Sequence, residues 1–224
     1  METRSIEDYA YRYFINSSSV VYDIGAHIGE TCEIFSRKSP KKIYAFEPNE
    51  LNFNDLKENT KNISNLEYFK VALSDENFSC NTRFRDCRTD GNESNPEQYI
   101  EYTTIDLAIK KYSLLQPSFI KMDIEGMESK LLTTFGSLFL NCRPLIYVEI
   151  HAQERGSTNE NYENCPHWVW PEDGGFDFNS LKNLNYQIMS EKNGLLDFEK
   201  NWNPSANDHI GYVLTPKEKV CFKK

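Results

Sequence analysis

The sequence contains no apolar run that approaches the roughly 18 residues needed to cross a bilayer. Its first stretch, 1–14, mixes charged residues with tyrosines and lacks the apolar segment of a secretion signal. The six cysteines form no Cys-x-x-Cys pair and no zinc-like grouping with histidine, which indicates reduced thiols. These absences predict a cytoplasmic protein without a membrane partner.

Positive charge is also scarce. The chain has 25 Lys and Arg residues against 34 Asp and Glu residues, a net charge of −9. A negative overall field disfavours binding to phosphate backbones, so we expect no nucleic-acid partner. The 224 residues, of which 39% are hydrophobic and 26% charged, are typical of one globular domain.

Strand-like and helix-like segments alternate along the chain. Short apolar runs with the composition of buried strands lie at 20–23, 42–47, 67–73, 119–123 and 145–150. Helical patterns lie at 29–37, at 51–61 after the candidate N-cap Asn49, and at 131–139, where the apolar residues share one face. This alternation predicts an α/β fold with a mostly parallel sheet and helices on both faces.

Two segments interrupt the alternation. The polar stretch 77–101 carries a strong turn signal at 89–92 and predicts a small hairpin. The long segment 151–175 follows a strand and contains Trp168, Trp170 and His167. Loops of this length are typically functional lids or disordered. Two more strands are predicted at 186–190 and 209–214, as a hairpin-like pair.

A glycine-containing turn, from Asp23 to Gly29, follows the first predicted strand. Gly25 permits close approach of a ligand, and Gly29 permits close packing of the next helix on the sheet. Glu47 ends the second strand, where an acid accepts both ribose hydroxyls of an adenosine. The middle glycine that admits a pyrophosphate is missing. The pattern favours an adenosine cofactor without phosphates whose positive charge suits Asp23, namely S-adenosylmethionine.

Five sequence blocks resemble the FkbM family of S-adenosylmethionine-dependent methyltransferases. They are Asp23-x-Gly-Ala-x-x-Gly29-Glu30-Thr31, Tyr-Ala-Phe-Glu-Pro-Asn at 44–49, Val-Ala-Leu-Ser-Asp at 71–75, Ile-Lys-Met-Asp-Ile-Glu-Gly-Met-Glu at 120–128 and Val-Glu-Ile-His at 148–151. The resemblance covers roughly residues 18–152 and implies a seven-stranded Rossmann-like sheet with an antiparallel last strand. It also implies methyl transfer to hydroxyl oxygens of sugars, polyketides or related natural products.

On this resemblance we expect one methyltransferase domain over 1–224, with a helical lead-in at 1–18 and an acceptor-side insertion at 151–176. The residues expected to bind the cofactor lie in the matching blocks and beside them. They are Asp23, Gly25, Ala26, His27, Gly29, Glu47, Pro48, Asn49, Asn52, Ala72, Leu73, Asp123, Glu125 and Gly126.

Charged residues also gather where the fourth and fifth strands end, and ligands bind at that end of an open α/β sheet. The candidate catalytic residues are Asp123, Glu149, His151 and Lys121. Lys121 has two interpretations, a structural ion pair with a nearby acid or a catalytic role. Glu125 and, more strongly, Glu128 have the alternative of capping the following helix, since carboxylates stabilise helix N-termini.

A hydroxyl acceptor must lose its proton to a base or to a metal that acidifies it. In one mechanism His151 is the general base, and Asp123 and Glu149 orient it. In the other, Asp123, Glu149 and His151 hold Mg²⁺ or Mn²⁺, which their mixed oxygen and nitrogen ligands favour. This ligand set gives the metal mechanism a slight preference, but no spacing motif enforces it, so both mechanisms stay open.

Four residues are candidates for acceptor contacts: Trp168, Trp170, His167 and His209. Aromatic rings can stack on the apolar face of a sugar, although the tryptophans could instead anchor loops to the core. We expect a small-molecule or glycan acceptor, with a carbohydrate or glycoconjugate preferred. The alternatives are a polyketide-like acceptor, a nucleic-acid base, and a non-catalytic module that only binds the cofactor. The strand-four motif lacks the Asp/Asn-Pro-Pro-Tyr pattern usual for base methylation.

Overall fold

The computed structural model describes residues 5–82, 97–151, 180–190, 194–195 and 209–219. Its helices are α1 (Ile6–Phe14), α2 (Glu30–Ser36), α3 (Glu50–Asn59), α4 (Ile105–Lys111), α5 (Glu128–Thr133), α6 (Gly136–Asn141) and α7 (Ser180–Asn183). Its strands are β1 (Val20–Ile24), β2 (Lys42–Phe46), β3 (Leu66–Phe69), β4 (Ala72–Leu73), β5 (Phe78–Thr82), β6 (Gln98–Thr103), β7 (Phe119–Met122), β8 (Leu145–His151), β9 (Tyr186–Ser190), β10 (Gly194–Leu195) and β11 (His209–Pro216).

The main sheet has eight strands in the order β10-β9-β11-β8-β7-β1-β2-β3. Strand β11 runs antiparallel to both β8 and β9, while β1 pairs parallel with β2 and β7. The two-residue strand β10 is an addition at the edge of this sheet. The remaining seven strands confirm the predicted Rossmann-like sheet with an antiparallel last strand.

Helices cover both faces of this sheet, because successive side chains of a strand point to opposite faces. One face carries Tyr22 and Ile24 of β1 and packs against α4, α5 and α6. The other face carries Val21 and packs against α1, α2 and α3. The predicted helical lead-in contains α1, which rests on this second face through Ala10 and Tyr11.

A second sheet of three strands has the order β4-β6-β5. Strands β5 and β6 are antiparallel neighbours, which confirms the hairpin predicted in 77–101, although its turn at 89–92 lies outside the described residues. The single strand predicted at 67–73 is wrong. The chain leaves the main sheet after Phe69, and Ala72 pairs instead with Tyr102 of β6.

The helix predicted over 131–139 is two helices, α5 and α6. The hydroxyl of Thr133 donates to the carbonyl of Lys130 at 2.6 Å, and that of Thr134 donates to the carbonyl of Leu131 at 2.8 Å. Side-chain bonds of this kind compete with the helical ladder and interrupt it. The five apolar residues of the predicted face are nevertheless all buried: Leu131, Leu132, Phe135, Leu138 and Phe139.

Two of the absences noted in the sequence have structural counterparts. None of the described helices has the length and apolar character needed to cross a bilayer. Cys32 and Cys142, in the described part of the chain, are free thiols.

Candidate active site

The site lies where the strand order reverses. Strand β1 has β2 on one side and β7 on the other, and the chain runs outward from β1 in both directions. Asp23 is the register partner of Ala45 in β2 and of Lys121 in β7. In open α/β sheets, ligands bind outside the carboxyl ends of the strands at such a reversal. The turn after β1 and the turn after β7 therefore form the candidate site.

The turn after β1 depends on backbone conformations that favour glycine. Gly25, His27 and Gly29 all have positive φ, of 80°, 49° and 98°. The N–H of Gly25 donates to the carbonyl of Phe46 at 3.0 Å, which ties the turn to the end of β2. A Cβ on Gly25 would lie 1.8 Å from the carbonyl oxygen of Asp123. The two turns therefore touch backbone to backbone, and this contact requires glycine.

Gly29 serves a different contact from the one predicted. A Cβ there would lie 2.6 Å from Thr60 Cγ2 and 2.9 Å from Leu56 Cδ1. Both neighbours belong to the carboxyl-terminal end of α3. Gly29 therefore permits close packing of α2 against α3, and the expected contact with the sheet is not the one that requires glycine.

Glu47 is almost fully buried, with 6% exposure. Its Oε2 accepts the N–H of His27 at 2.9 Å, and its Oε1 accepts the N–H of Asn49 at 2.9 Å. The side-chain amide of Asn52 also favours the ionised form of this carboxylate. Burial raises the pKa of Glu47 to about 7, while these hydrogen bonds act in the opposite direction. The predicted ribose-binding acid thus also links the first turn to the start of α3.

The start of α3 is held by side chains. Asn49 is its N-cap, as predicted, and its Oδ1 accepts the N–H groups of Leu51 and Asn52. The Oε1 of Gln98, from the small sheet, accepts the N–H of Glu50 at 2.8 Å. Sequence reasoning missed Gln98, because it comes from a distant strand with no local signal. Pro48, between Glu47 and Asn49, is half-buried.

A buried group of charges lies beneath the first turn. The carboxylate of Asp23 is fully buried and its Oδ2 accepts from Thr31 Oγ1 at 2.5 Å and from Cys32 Sγ at 3.1 Å. Lys121 Nζ lies 3.8 Å from Asp23 Oδ1 and 3.4 Å from Asp123 Oδ2. Asp23 therefore faces α2 and Lys121. Its position anchors the end of β1 to α2, and a contact between Asp23 and the positive charge of the cofactor stays a prediction.

The turn after β7 also contains two left-handed residues, Glu125 with φ 58° and Gly126 with φ 112°. The buried carboxylate of Glu128 accepts the N–H of Ile124 at 2.9 Å and that of Gly126 at 3.0 Å. Glu128 thus binds the backbone of the preceding turn, a contact that the expected role as a helix cap did not include. Glu125 is exposed, and the N-cap residue of α5 is Met127.

The other predicted site residues are placed as follows. Glu149 is half-buried in β8, opposite Gly211 of β11. His151, at the end of β8, and His209, at the start of β11, are register partners. Their side chains lie outside the described set. Ala26 is buried in the first turn, whereas Ala72 and Leu73 form β4 of the small sheet. His167, Trp168 and Trp170 lie outside the described residues.

The metal-binding hypothesis meets an obstacle at Asp123. Among the side chains that the structure describes, no group of three or more acids, histidines and cysteines can hold a metal ion, but the side chain of His151 lies outside that set, so the predicted trio stays a prediction. The ammonium of Lys121 already lies 3.4 Å from Asp123 Oδ2. A divalent cation on that oxygen would repel this ammonium at close range.

Comparison with known proteins gives a family match and several similar folds. The profile described as Methyltransferase FkbM domain matches residues 23–188. The structure is similar to the FkbM methyltransferase of Methylobacillus flagellatus KT, with 19% identity, a TM-score of 0.52, and coverage of 88% of this chain and 44% of that one. This chain therefore spans less than half the length of that protein.

Two further structures share the fold over nearly their whole length. A putative methyltransferase of Streptococcus mutans, solved in complex with SAH, has 13% identity and a TM-score of 0.50, with coverage of 96% of this chain and 98% of that one. An rRNA methylase of Streptococcus thermophilus has 13% identity and a TM-score of 0.50, with coverage of 96% of each chain. No curated protein sequence matches the chain significantly.

Proposed function

The chain belongs to the FkbM family of S-adenosylmethionine-dependent methyltransferases, and we propose that it transfers the methyl group to a hydroxyl oxygen of a carbohydrate or glycoconjugate. The observation that most supports a cofactor site here is the pair of touching turns at the strand reversal. One turn is linked to the buried acid Glu47, and the other begins with the partly exposed acid Asp123. S-adenosylmethionine, when bound, supplies an electrophilic methyl group on a sulfonium.

The cofactor would rest on residues from both turns. Glu47 would accept the ribose hydroxyls. Each of its oxygens accepts one backbone N–H, and a carboxylate offers about four acceptor sites in all. The turn that contains Gly25, Ala26, His27 and Gly29 would carry the methionine portion, together with Asp123, Glu125 and Gly126. Pro48, Asn49, Asn52, Ala72 and Leu73 would surround the adenosine.

For the proton of the acceptor we favour a general base. His151 would take the proton, with Glu149 and Asp123 orienting the imidazole and stabilising its charged form. The contact of Lys121 with Asp123 supports this choice over a bound metal, because it places an ammonium group 3.4 Å from one of the proposed ligand oxygens. Mg²⁺ or Mn²⁺ on Asp123, Glu149 and His151 is the alternative.

The acceptor is inferred from the residues of the 151–176 segment. Trp168 and Trp170 would stack on a sugar, with His167 and His209 as further contacts. The net charge of −9 speaks against a nucleic-acid acceptor. The likeness to an rRNA methylase concerns the fold and does not identify the acceptor. We therefore include rRNA among the acceptors to be tested.

The deciding experiment has two stages. Calorimetric titration with S-adenosylmethionine and S-adenosylhomocysteine tests cofactor binding, with Glu47→Gln as the weakened control. Mass spectrometry then follows methyl-labelled cofactor into a panel of glycans, polyketide-like alcohols and rRNA. We expect label on a glycan hydroxyl. Label on rRNA would refute the acceptor class, and tight cofactor binding without transfer to any acceptor would favour a non-catalytic module.

A paired substitution tests the acceptor segment. We expect Trp168→Ala with Trp170→Ala to raise the KM for the glycan while the affinity for S-adenosylhomocysteine stays within twofold of wild type. Lost cofactor affinity or a lowered melting temperature would instead assign these tryptophans to the core.

A further inference from the structure

Lys121 makes contacts that join the two turns of the candidate site. Its Nζ donates to the carbonyl oxygen of Gly25 at 2.9 Å, in the turn after β1. The same nitrogen lies 3.4 Å from the carboxylate of Asp123, in the turn after β7. One buried ammonium group therefore touches both halves of the site, at the point where a Cβ on Gly25 would collide with Asp123.

Lys121 also has a buried acidic neighbour, Asp23. Asp23 Oδ1 lies 3.8 Å from Nζ and makes no hydrogen bond within the described part of the chain. The other oxygen of Asp23 accepts from Thr31 and Cys32 of α2. A chain of polar contacts thus runs from α2 through Asp23 to Lys121, and from there to both turns.

These surroundings keep the ammonium group charged. Burial alone would lower the pKa of Lys121, but the carboxylates of Asp23 and Asp123, with a smaller effect from Glu7, outweigh it and raise the pKa above its ordinary value. A lysine can take a proton from an acceptor only as the neutral amine. The contacts of Lys121 Nζ with the Gly25 carbonyl and with two carboxylates fit an ion pair rather than a general base.

We infer that Lys121 is a positioning residue, which ties the Asp123 carboxylate to the Gly25 carbonyl and so holds the two turns in the arrangement that receives the cofactor. This inference rests on the proposed function, since it assigns the turns to cofactor binding. It chooses between the ion pair and the catalytic role that the sequence left open. The ion pair has a purpose beyond stability, because it orients the backbone against which the ligand lies.

The test separates stability from positioning. Lys121→Met alone leaves Asp23 buried without its cation, which is strongly destabilising. The double variant Asp23→Asn with Lys121→Met removes both buried charges together and should melt within a few degrees of wild type. We expect its affinity for S-adenosylhomocysteine, measured by calorimetry, to fall at least tenfold, because the charge-assisted bond to Gly25 is gone. Lys111→Met, in the exposed pair with Glu101, is the matched control and should bind like wild type.

A double variant with wild-type stability and wild-type affinity would reduce Lys121 to a structural ion pair and overturn the inference. A second measurement uses the unaltered protein. The ¹⁵Nζ signal of Lys121 should show a hydrogen-bonded ammonium protected from exchange with solvent, whereas a freely exchanging group would contradict the inference even if both variants failed to fold. Failure of the proposed function is distinct, because wild type itself would then bind neither S-adenosylmethionine nor S-adenosylhomocysteine.

Discussion

The affinity for the cofactor should depend on pH through Glu47. Burial raises the pKa of this carboxyl to about 7 in the free protein. Only the ionised form can accept hydrogen bonds from both ribose hydroxyls, so binding below this pH requires the loss of a proton. The ionised fraction is about nine-tenths at pH 8 and one-tenth at pH 6. We therefore expect the affinity for S-adenosylhomocysteine to fall about tenfold between pH 8 and pH 6.

Stability should respond to pH in the opposite direction. The pKa of Glu47 in the fold, about 7, lies above its ordinary value of 4.5. Its contribution to stability is therefore complete below pH 4.5 and is lost as the pH rises through 7. At 1.36 kcal/mol per pKa unit, the loss reaches about 3 kcal/mol. Wild type should lose this amount relative to Glu47→Gln between pH 4.5 and pH 8, as read from urea unfolding midpoints.

Glu47→Gln is the control for both measurements, since it keeps the shape of the side chain and cannot titrate. We expect its affinity to be lower than that of wild type at pH 8 and nearly constant from pH 8 to pH 6. Equal pH slopes for wild type and variant would refute the reasoning, because another group would then carry the dependence.

Three further outcomes follow from contacts described above. Gly25→Ala should lower the free energy of unfolding, measured with urea, by at least about 2 kcal/mol, because its Cβ would collide with the Asp123 carbonyl at a positive φ. Gly136→Ala is the control, because open space surrounds that position, and it should leave this free energy unchanged or raise it by up to about 1 kcal/mol. Glu128→Ala should cost about 1–3 kcal/mol, because it leaves two partly buried N–H groups without their acceptor, while the exposed Glu58→Ala stays within about 0.5 kcal/mol. Equal costs would contradict the role of Glu128. Dialysis against EDTA should leave methyl transfer intact, and activity that is lost and then restored by Mn²⁺ or Mg²⁺ would favour the metal mechanism.

Features encoded in neighbouring residues were predictable from the sequence. The cap at Asn49 and the buried face from Leu131 to Phe139 follow from short spacings, and both are present. The break between α5 and α6 was missed because the threonine hydroxyls compete with a ladder that the apolar pattern alone suggests.

Features that depend on strand register could not be predicted. The contact between Lys121 and the Gly25 carbonyl joins positions 96 residues apart, and only the pairing of β1 with β7 brings them together. Gln98 reaches Glu50 across 48 residues for a similar reason. The sequence predicted that Gly29 packs against the sheet, whereas it packs against α3. A glycine indicates that another element approaches closely, but it does not show which element that is.

The position of β7 beside β1 has a consequence for the order of folding. Val20 donates to Ser118 across 98 residues, whereas its partner in β2 is Lys42. Closing a loop of that length costs about 4 kcal/mol of chain entropy, so the β1–β7 pair should form after β1–β2. The two turns at the reversal then come together only in the late, nearly native chain. A cofactor that needs both turns has nothing to bind earlier, so it should slow unfolding while leaving the rate of refolding unchanged.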